Sequence, residues 1–225
     1  MGFADPGRTS VTEPPLDCPL CPRLVAFRTD NRAAHPDWFN APVLTFGDPN
    51  ARLLIVGLAP GLRGANQTGR PFTGDYAGDL LYATLDKFGL SRGTYRARPD
   101  DGLELRGVAI TNAVRCVPPQ NKPTPAEIRT CLSFLRETLA ARPGIEAILV
   151  LGKIAHDATI AGLGGKPSRH KFAHGAVHRL DGVPAIYDSY HCSRYNTNTR
   201  RLTPEMFEAV FAQITADLQA DQTPR

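Results

Sequence analysis

Residues 52–81 read RLLIVGLAPGLRGANQTGRPFTGDYAGDLL. The apolar run 53–56 (LLIV) reads as a short buried strand closed by Gly57. A long turn follows, carrying Gly57, Pro60, Gly61, Gly64, Gly69 and Gly74. Leu81, Leu85 and Phe88 then recur at helical spacing, which predicts a helix over 79–88 that stops at Gly89. A strand feeding a glycine-rich loop at its carboxyl end is where open α/β sheets bind ligands. The loop has neither the G-x-x-x-x-G-K-[ST] of a P-loop nor the G-x-G-x-x-G of a dinucleotide site. It carries instead one aromatic, Phe72, and one carboxylate, Asp75, on backbone that glycine allows close to a ligand. Taken by itself, the loop also fits a structural turn.

Working outward, the same alternation repeats. Residues 108–110 (VAI) read as a second buried strand ending in TNAVRC (111–116). Thr124-Pro125-Ala126-Glu127 is a capping box with proline at the first helical position, opening a helix to about Ala141 with Ile128, Leu132, Leu135 and Leu139 on one face. A third strand at 147–151 (AILVL) precedes a helix over 153–160, and 162–178 is a glycine- and base-rich connection. A fourth strand at 183–187 leads into Asp188-Ser189-Tyr190-His191-Cys192-Ser193. Thr203-Pro204 starts a last helix with Phe207, Val210, Phe211, Ile214 and Leu218 at helical spacing. The proline-rich first 50 residues read as extended or loop structure, with a weak strand at 42–46. Strands alternating with helices imply parallel pairing in a sheet covered on both faces. Polar clusters at 57–75, Thr111-Asn112 and 190–193 then lie at carboxyl ends and converge on one sheet edge. A length of 225 residues suits one domain. Residues 1–50 form its N-terminal extension and 215–225 its C-terminal tail.

Net charge is only +4, but basic residues cluster at Arg92, Arg96 and Arg98, at Lys166, Arg169 and Lys171, and at Arg194, Arg200 and Arg201. Such clusters suit an anionic partner and equally a solvated surface. No apolar run approaches the ~18 residues of a membrane span. The N-terminus lacks a secretory apolar core, and Pro6 breaks the myristoylation pattern, so a cytoplasmic protein is expected.

Cys18-Pro-Leu-Cys21 is a C-x-x-C in a chain with no export signal, which favours metal or redox chemistry over a disulfide. Its proline-rich flanks argue against a thioredoxin-like site. With Cys116 and Cys131, it offers four thiols from a hook, a strand end and a helix. That set suits a cubane iron–sulfur cluster, although spacing alone does not exclude tetrahedral zinc, and Cys116 and Cys131 also fit ordinary buried thiols. Cys192 reads as a packed thiol. His170, His174 and His178 are spaced four apart, but Gly175 interrupts them and no carboxylate partner is evident, so they read as a polar, DNA-facing loop rather than a metal site.

The order Cys18-x-x-Cys21, GLAPG (57–61), GRPFTGD (69–75), TNAVRC (111–116), Cys131 and SYHCSRYNTNT (189–199) resembles the uracil-DNA glycosylase superfamily. It is most similar to the iron–sulfur-containing type-B (family five) members of bacteria and archaea. The resemblance implies a three-layer α/β/α sandwich around a four-stranded parallel sheet, and a [4Fe–4S] cluster on Cys18, Cys21, Cys116 and Cys131. It implies removal of uracil from DNA, with hypoxanthine, xanthine and some modified pyrimidines as further substrates. It implies that Gly57, Leu58, Ala59, Pro60 and Gly61 border the base and that Phe72 stacks on it. Asn112 would bond the base's edge, His191 would face the leaving-group oxygen, and Asp75 is the loop carboxylate. Ser193, Arg194, Tyr195, Asn196 and Asn198 fall in the segment that enters the duplex. Family-four relatives place Glu after the first glycine, where this chain has Leu58. The apolar residue fits the type-B pattern and leaves open which group activates water.

The residues suit that chemistry. N-glycosidic cleavage develops positive charge on the sugar and negative charge on the base, so a donor such as His191 at the departing oxygen lowers the barrier. Asp75 serves either to stabilise the sugar cation or to orient water, and also fits a simple helix cap. Asn112 offers both a donor and an acceptor. The expected protein is a monomeric, monofunctional glycosylase. No lysine stands in the loop motifs for Schiff-base chemistry. A non-catalytic iron–sulfur damage binder and a small-molecule hydrolase on the same fold are the competing classes.

Overall fold

A computed structural model describes residues 13–220; the first part of the expected N-terminal extension and the last five residues of the expected tail lie outside the described residues. Four parallel strands form the centre: β2 (Leu53–Gly57), β5 (Val108–Asn112), β6 (Ala147–Leu151) and β8 (Ala185–Ser189). Two-residue antiparallel strands flank them, β1 (Phe46–Gly47) against β5 and β7 (Val177–His178) against β8, giving the order β1-β5-β2-β6-β8-β7. A small hairpin, β3 (Ser91–Arg92) with β4 (Glu104–Leu105), stands apart from the main sheet.

Every residue of β2, β5 and β6 is buried, which is why the runs 53–56, 108–110 and 147–151 in them are apolar without a break. Their side chains alternate between two cores. Leu53 and Ile55 pack with Leu81 and Leu85 of α3 (Tyr76–Lys87) and with Phe207, Phe211 and Ile214 of α7 (Pro204–Ala220). Leu54 and Val56 pack with Leu132 and Leu135 of α4 (Pro125–Ala140) and with Ala155 and Ala158 of α5 (Lys153–Gly162). Each fully buried large aliphatic contributes about 1.5–3 kcal/mol. The result is the expected α/β/α sandwich. The capping box of α4 forms as read: Thr124 Oγ1 accepts from the Glu127 amide at 3.2 Å, and Glu127 Oε2 accepts from the Thr124 amide at 2.7 Å.

Four expectations need correction. The N-terminal segment is not all loop, because α1 (Pro22–Ala34) occupies its middle; it buries only Leu24, Arg28 and Asn31, too few apolar positions to show a helical period. The fourth strand runs over Ala185–Ser189 rather than 183–187, because Pro184 has no N–H for the ladder. The weak strand at 42–46 is confined to Phe46–Gly47. Finally, α7 runs on to Ala220, so residues 215–220 of the expected tail are helical, in line with Leu218 at helical spacing.

Candidate active site

The carboxyl ends of β2, β5 and β8 open onto one cavity of about 510 Å³, a size suited to a small cyclic ligand. Leu58, Ala59, Pro60 and Gly61 border it from the β2 loop; Phe72 and Asp75 come from GRPFTGD, Asn112 from β5 and His191 from the chain after β8. Gly57 lies beneath: a Cβ there would stand 2.4 Å from Asn112 Oδ1 and 2.7 Å from Phe72 Cζ, so only glycine allows both side chains their places. The β2 and β5 ends are tied by the Ala113 amide on the Gly57 carbonyl and the Val114 amide on the Leu58 carbonyl, each at 2.9 Å.

Phe72 holds a left-handed backbone, φ 52°, a strained conformation for a non-glycine residue. The surroundings over-determine it. The Tyr82 hydroxyl donates to the Pro71 carbonyl at 2.7 Å, and the Tyr95 hydroxyl donates to the Phe72 carbonyl at 3.2 Å. Arg70 donates to Thr73 Oγ1 at 2.7 Å and grips Asp101 with both terminal nitrogens, at 2.7 and 2.8 Å. The Phe72 ring is tilted 30° from that of His191, with centroids 5.9 Å apart.

Asp75 sits at the N-cap position of α3, but its side chain makes no capping bond. Its Oδ1 is buried without a hydrogen-bond partner among the described residues. Burial pushes the carboxyl above its ordinary range; the amides of Gly78 and Ala77, too loosely placed for a capping bond, offset part of that rise. A Cβ at Gly64 would stand 2.5 Å from Asp75 Oδ2, so this glycine too is required by the carboxylate it faces. A buried, poorly satisfied carboxylate in a cavity is poorly explained by capping and well explained by chemistry. Burial pushes His191 down to about 4, so its imidazole is neutral near pH 7 and donates through a single N–H.

Sequence reading missed Tyr76 and Asn121, both of which line the cavity. Gln120 and Asn121 adopt left-handed φ values of 57° and 56° that swing the segment after β5 back over the pocket, and the prolines around it were the available signal of an irregular turn. Of the residues assigned to DNA contact, Ser193 and Arg194 also line this cavity. Ser193 caps the short helix α6 (Arg194–Asn198), and the Arg194 guanidinium lies 5.3 Å from the Tyr76 ring centre. Tyr195 is 72% exposed, and Asn198 is exposed. Asn196 instead turns inward, its Nδ2 donating to the His191 carbonyl at 2.8 Å.

Cys18, Cys21, Cys116 and Cys131 line a second, separate cavity with Leu24 and Phe134, and none is in a disulfide. Arg28 reaches this cavity, donating to the Cys18 carbonyl at 3.1 Å, with its other terminal nitrogen 3.8 Å from Cys116 Sγ. The Arg115 amide donates to Cys131 Sγ at 3.4 Å. Among the described residues, these cysteines do not form a group of three or more placed to hold one metal ion. Cys192 is fully buried, as expected of a packed thiol. No described helix is long and apolar enough to cross a membrane.

The family model for the uracil DNA glycosylase superfamily matches residues 44–215. A type-5 uracil-DNA glycosylase of Thermus thermophilus is 48% identical over 202 residues, covering 87% of this chain and 91% of the relative. One from Pyrobaculum aerophilum is 43% identical over 207 residues, covering 90% and 89%. A type-4 uracil-DNA glycosylase of Archaeoglobus fulgidus is 38% identical over a shorter stretch, 48% of this chain and 47% of the relative. With the matched span containing the loops that build the cavity, the chain belongs to the uracil DNA glycosylase superfamily.

Proposed function

We propose that this protein is a monofunctional DNA-repair glycosylase. It hydrolyses the N-glycosidic bond of uracil flipped out of DNA and leaves an abasic site. The observation that carries this reading is the convergence of Phe72, Asp75, Asn112 and His191 on one cavity from three strand ends. Extruding the base costs a few kcal/mol. Stacking on Phe72 recovers about 1–3 kcal/mol, and the clamp around residues 70–73 keeps the ring in place before the base arrives. Asn112 reads the edge of the base. As the bond to C1′ breaks, its electron pair passes to the base. The neutral His191 N–H stabilises the resulting anion at the carbonyl oxygen, worth about 10²–10³ in rate. Water adds to C1′ from the Asp75 side, and the carboxylate accepts its proton. Leu58 has no acid to offer, and Asp75 is the carboxylate that lines the cavity among the described residues.

The same reading extends to hypoxanthine and xanthine. Hypoxanthine presents a carbonyl and N–H pair like that of uracil, and the β2 loop borders the cavity with Leu58, Ala59 and Pro60 rather than with groups selective for a pyrimidine. We assign Cys18, Cys21, Cys116 and Cys131 to a [4Fe–4S] cluster. What supports the assignment is that the four thiols, from the hook, the segment after β5 and α4, gather around one cavity. When bound, the cluster supplies a cross-link between the Cys18–Cys21 hook, the end of β5 and α4, away from the base pocket.

Product analysis tests the reaction. Labelled uracil duplexes should yield free base and an intact abasic strand that breaks only on alkali. Strand scission trapped by borohydride would remove the monofunctional assignment. Tight binding without base release would make the protein a damage binder.

A further inference from the structure

Three side chains that take no part in the base pocket meet on the other side of β8. His156 of α5, His178 of β7 and Asp188 of β8 bring their ligand atoms within 4.8 Å of one another. Asp188 Oδ1 is 2.7 Å from His156 Nδ1, and Oδ2 is 2.9 Å from His178 Nε2. The side chains of His156 and Asp188 are fully buried, and that of His178 is 10% exposed. This corrects the reading of His178 as a loop histidine without a carboxylate partner: the partner is Asp188.

The outer contacts fix how these groups face one another. His156 Nε2 lies 2.7 Å from the His170 carbonyl, so that nitrogen carries a proton, and Nδ1 faces Asp188 either as a second N–H or as a lone pair. At 2.7 Å the contact holds a proton between the two atoms, and a metal ion could take that proton's place only if they move apart. An imidazole whose far N–H is held by a backbone carbonyl has the support ordinarily given to a metal-ligating histidine. The carboxylate is supported in the same way, its Oδ2 accepting from the Ala173 amide at 3.1 Å.

We propose that His156, His178 and Asp188 form a binding site for a divalent transition cation of the zinc class. Two imidazole nitrogens and one carboxylate oxygen suit zinc, with a water or the nearby His170 ring as fourth ligand; the His170 and His178 ring centres lie 5.8 Å apart. Tetrahedral zinc with bonds of about 2.0–2.1 Å separates its ligand atoms by about 3.3 Å. Loading therefore opens the present contacts by about half an ångström. His178 can move with its two-residue edge strand, while the 2.7 Å contact between the buried His156 and Asp188 must itself open. The bound ion would staple α5 and β7 to β8 at the residue before Ser189. The site depends on neither the glycosylase reading nor the cysteine assignment.

The test uses the full chain, exposed to zinc chloride, desalted, and counted for zinc and iron per chain by mass spectrometry. Asp188→Asn and His178→Gln are treated alike, with circular dichroism as the check on folding. His178→Gln changes a partly exposed edge residue and serves if Asp188→Asn fails to fold. The wild type should retain one more zinc per chain than either variant. Zinc at about 100-fold over its dissociation constant should raise only the wild-type melting temperature, by about 5–10 °C. Equal zinc in wild type and both folded variants would assign the metal elsewhere and overturn the proposal. A wild type that retains no zinc and melts unchanged would leave a proton, not a metal, between His156 and Asp188, and would overturn it equally.

Discussion

Asp75→Asn should slow the reaction and stabilise the protein at once. In the native state the carboxylate has a buried oxygen with no partner among the described residues, and burial raises its pKa above the ordinary value. A raised native pKa means that the folded state binds more protons than the unfolded chain across the interval between the two pKa values. Stability therefore falls as pH rises through that interval, and at neutral pH the full cost of burying the charge is present. Asparagine keeps the shape and removes the charge. A buried polar atom without a partner costs about 1–3 kcal/mol, more when charged. Recovering about 1 kcal/mol raises the melting temperature of a domain this size by about 2–4 °C. Loss of the proton acceptor should cut single-turnover base release by about 10²–10⁴-fold. Melting curves at neutral pH and again below the ordinary aspartate pKa, alongside uracil release, give both quantities. The stability gain should be present at neutral pH and vanish in acid. A variant that melts lower than wild type at neutral pH, or that releases uracil at the wild-type rate, would refute the account of this carboxylate.

Other residues carry distinct expectations. His191→Ala should lose about 10²–10³ in rate with its fold intact. Because burial holds His191 down to about 4, the wild-type profile between pH 5 and 8 should show no step from this ring; such a step, absent in the alanine variant, would contradict a neutral donor. The Arg70–Asp101 pair is almost wholly buried, and Arg70 beside it holds the Asp101 carboxyl well below the usual range. Asp101→Asn should therefore cost about 3–5 kcal/mol in urea unfolding and weaken uracil-duplex binding through the loosened Phe72 clamp. The pair's contribution is present above the ordinary aspartate pKa and is lost in the wild type as pH falls toward the depressed value. Cys131→Ser should bleach the broad absorbance near about 400 nm expected of an iron–sulfur protein, and a colourless wild type holding zinc in its cysteines would overturn the cluster assignment.

The sequence was most legible where burial was complete. β2, β5 and β6 are buried along their whole length, so apolar runs marked them, and the polar residues just after them marked the cavity edge. Helix α1 left no such mark, because two of its three buried residues, Arg28 and Asn31, are polar. Arg28 faces the cysteine cavity, and Asn31 donates to the Phe27 carbonyl. Asp188 looked like part of a strand-end polar cluster, since nothing local shows that it pairs with His156, 32 residues earlier in the chain. Asn121 entered the pocket through left-handed backbone that apolar periodicity does not encode. Asn196 lay in the segment assigned to DNA but anchors the His191 carbonyl, a difference set by the fold of α6 rather than by residue type.

Single-turnover release of base from duplexes carrying U·G, U·A, hypoxanthine·T or xanthine tests the central claim most directly. The account predicts release of uracil from both pairs, together with one or both purines, leaving an intact abasic strand. Release of uracil alone would keep the reaction and contradict the broad pocket. Neither binding nor release of any of these bases would contradict the glycosylase reading itself.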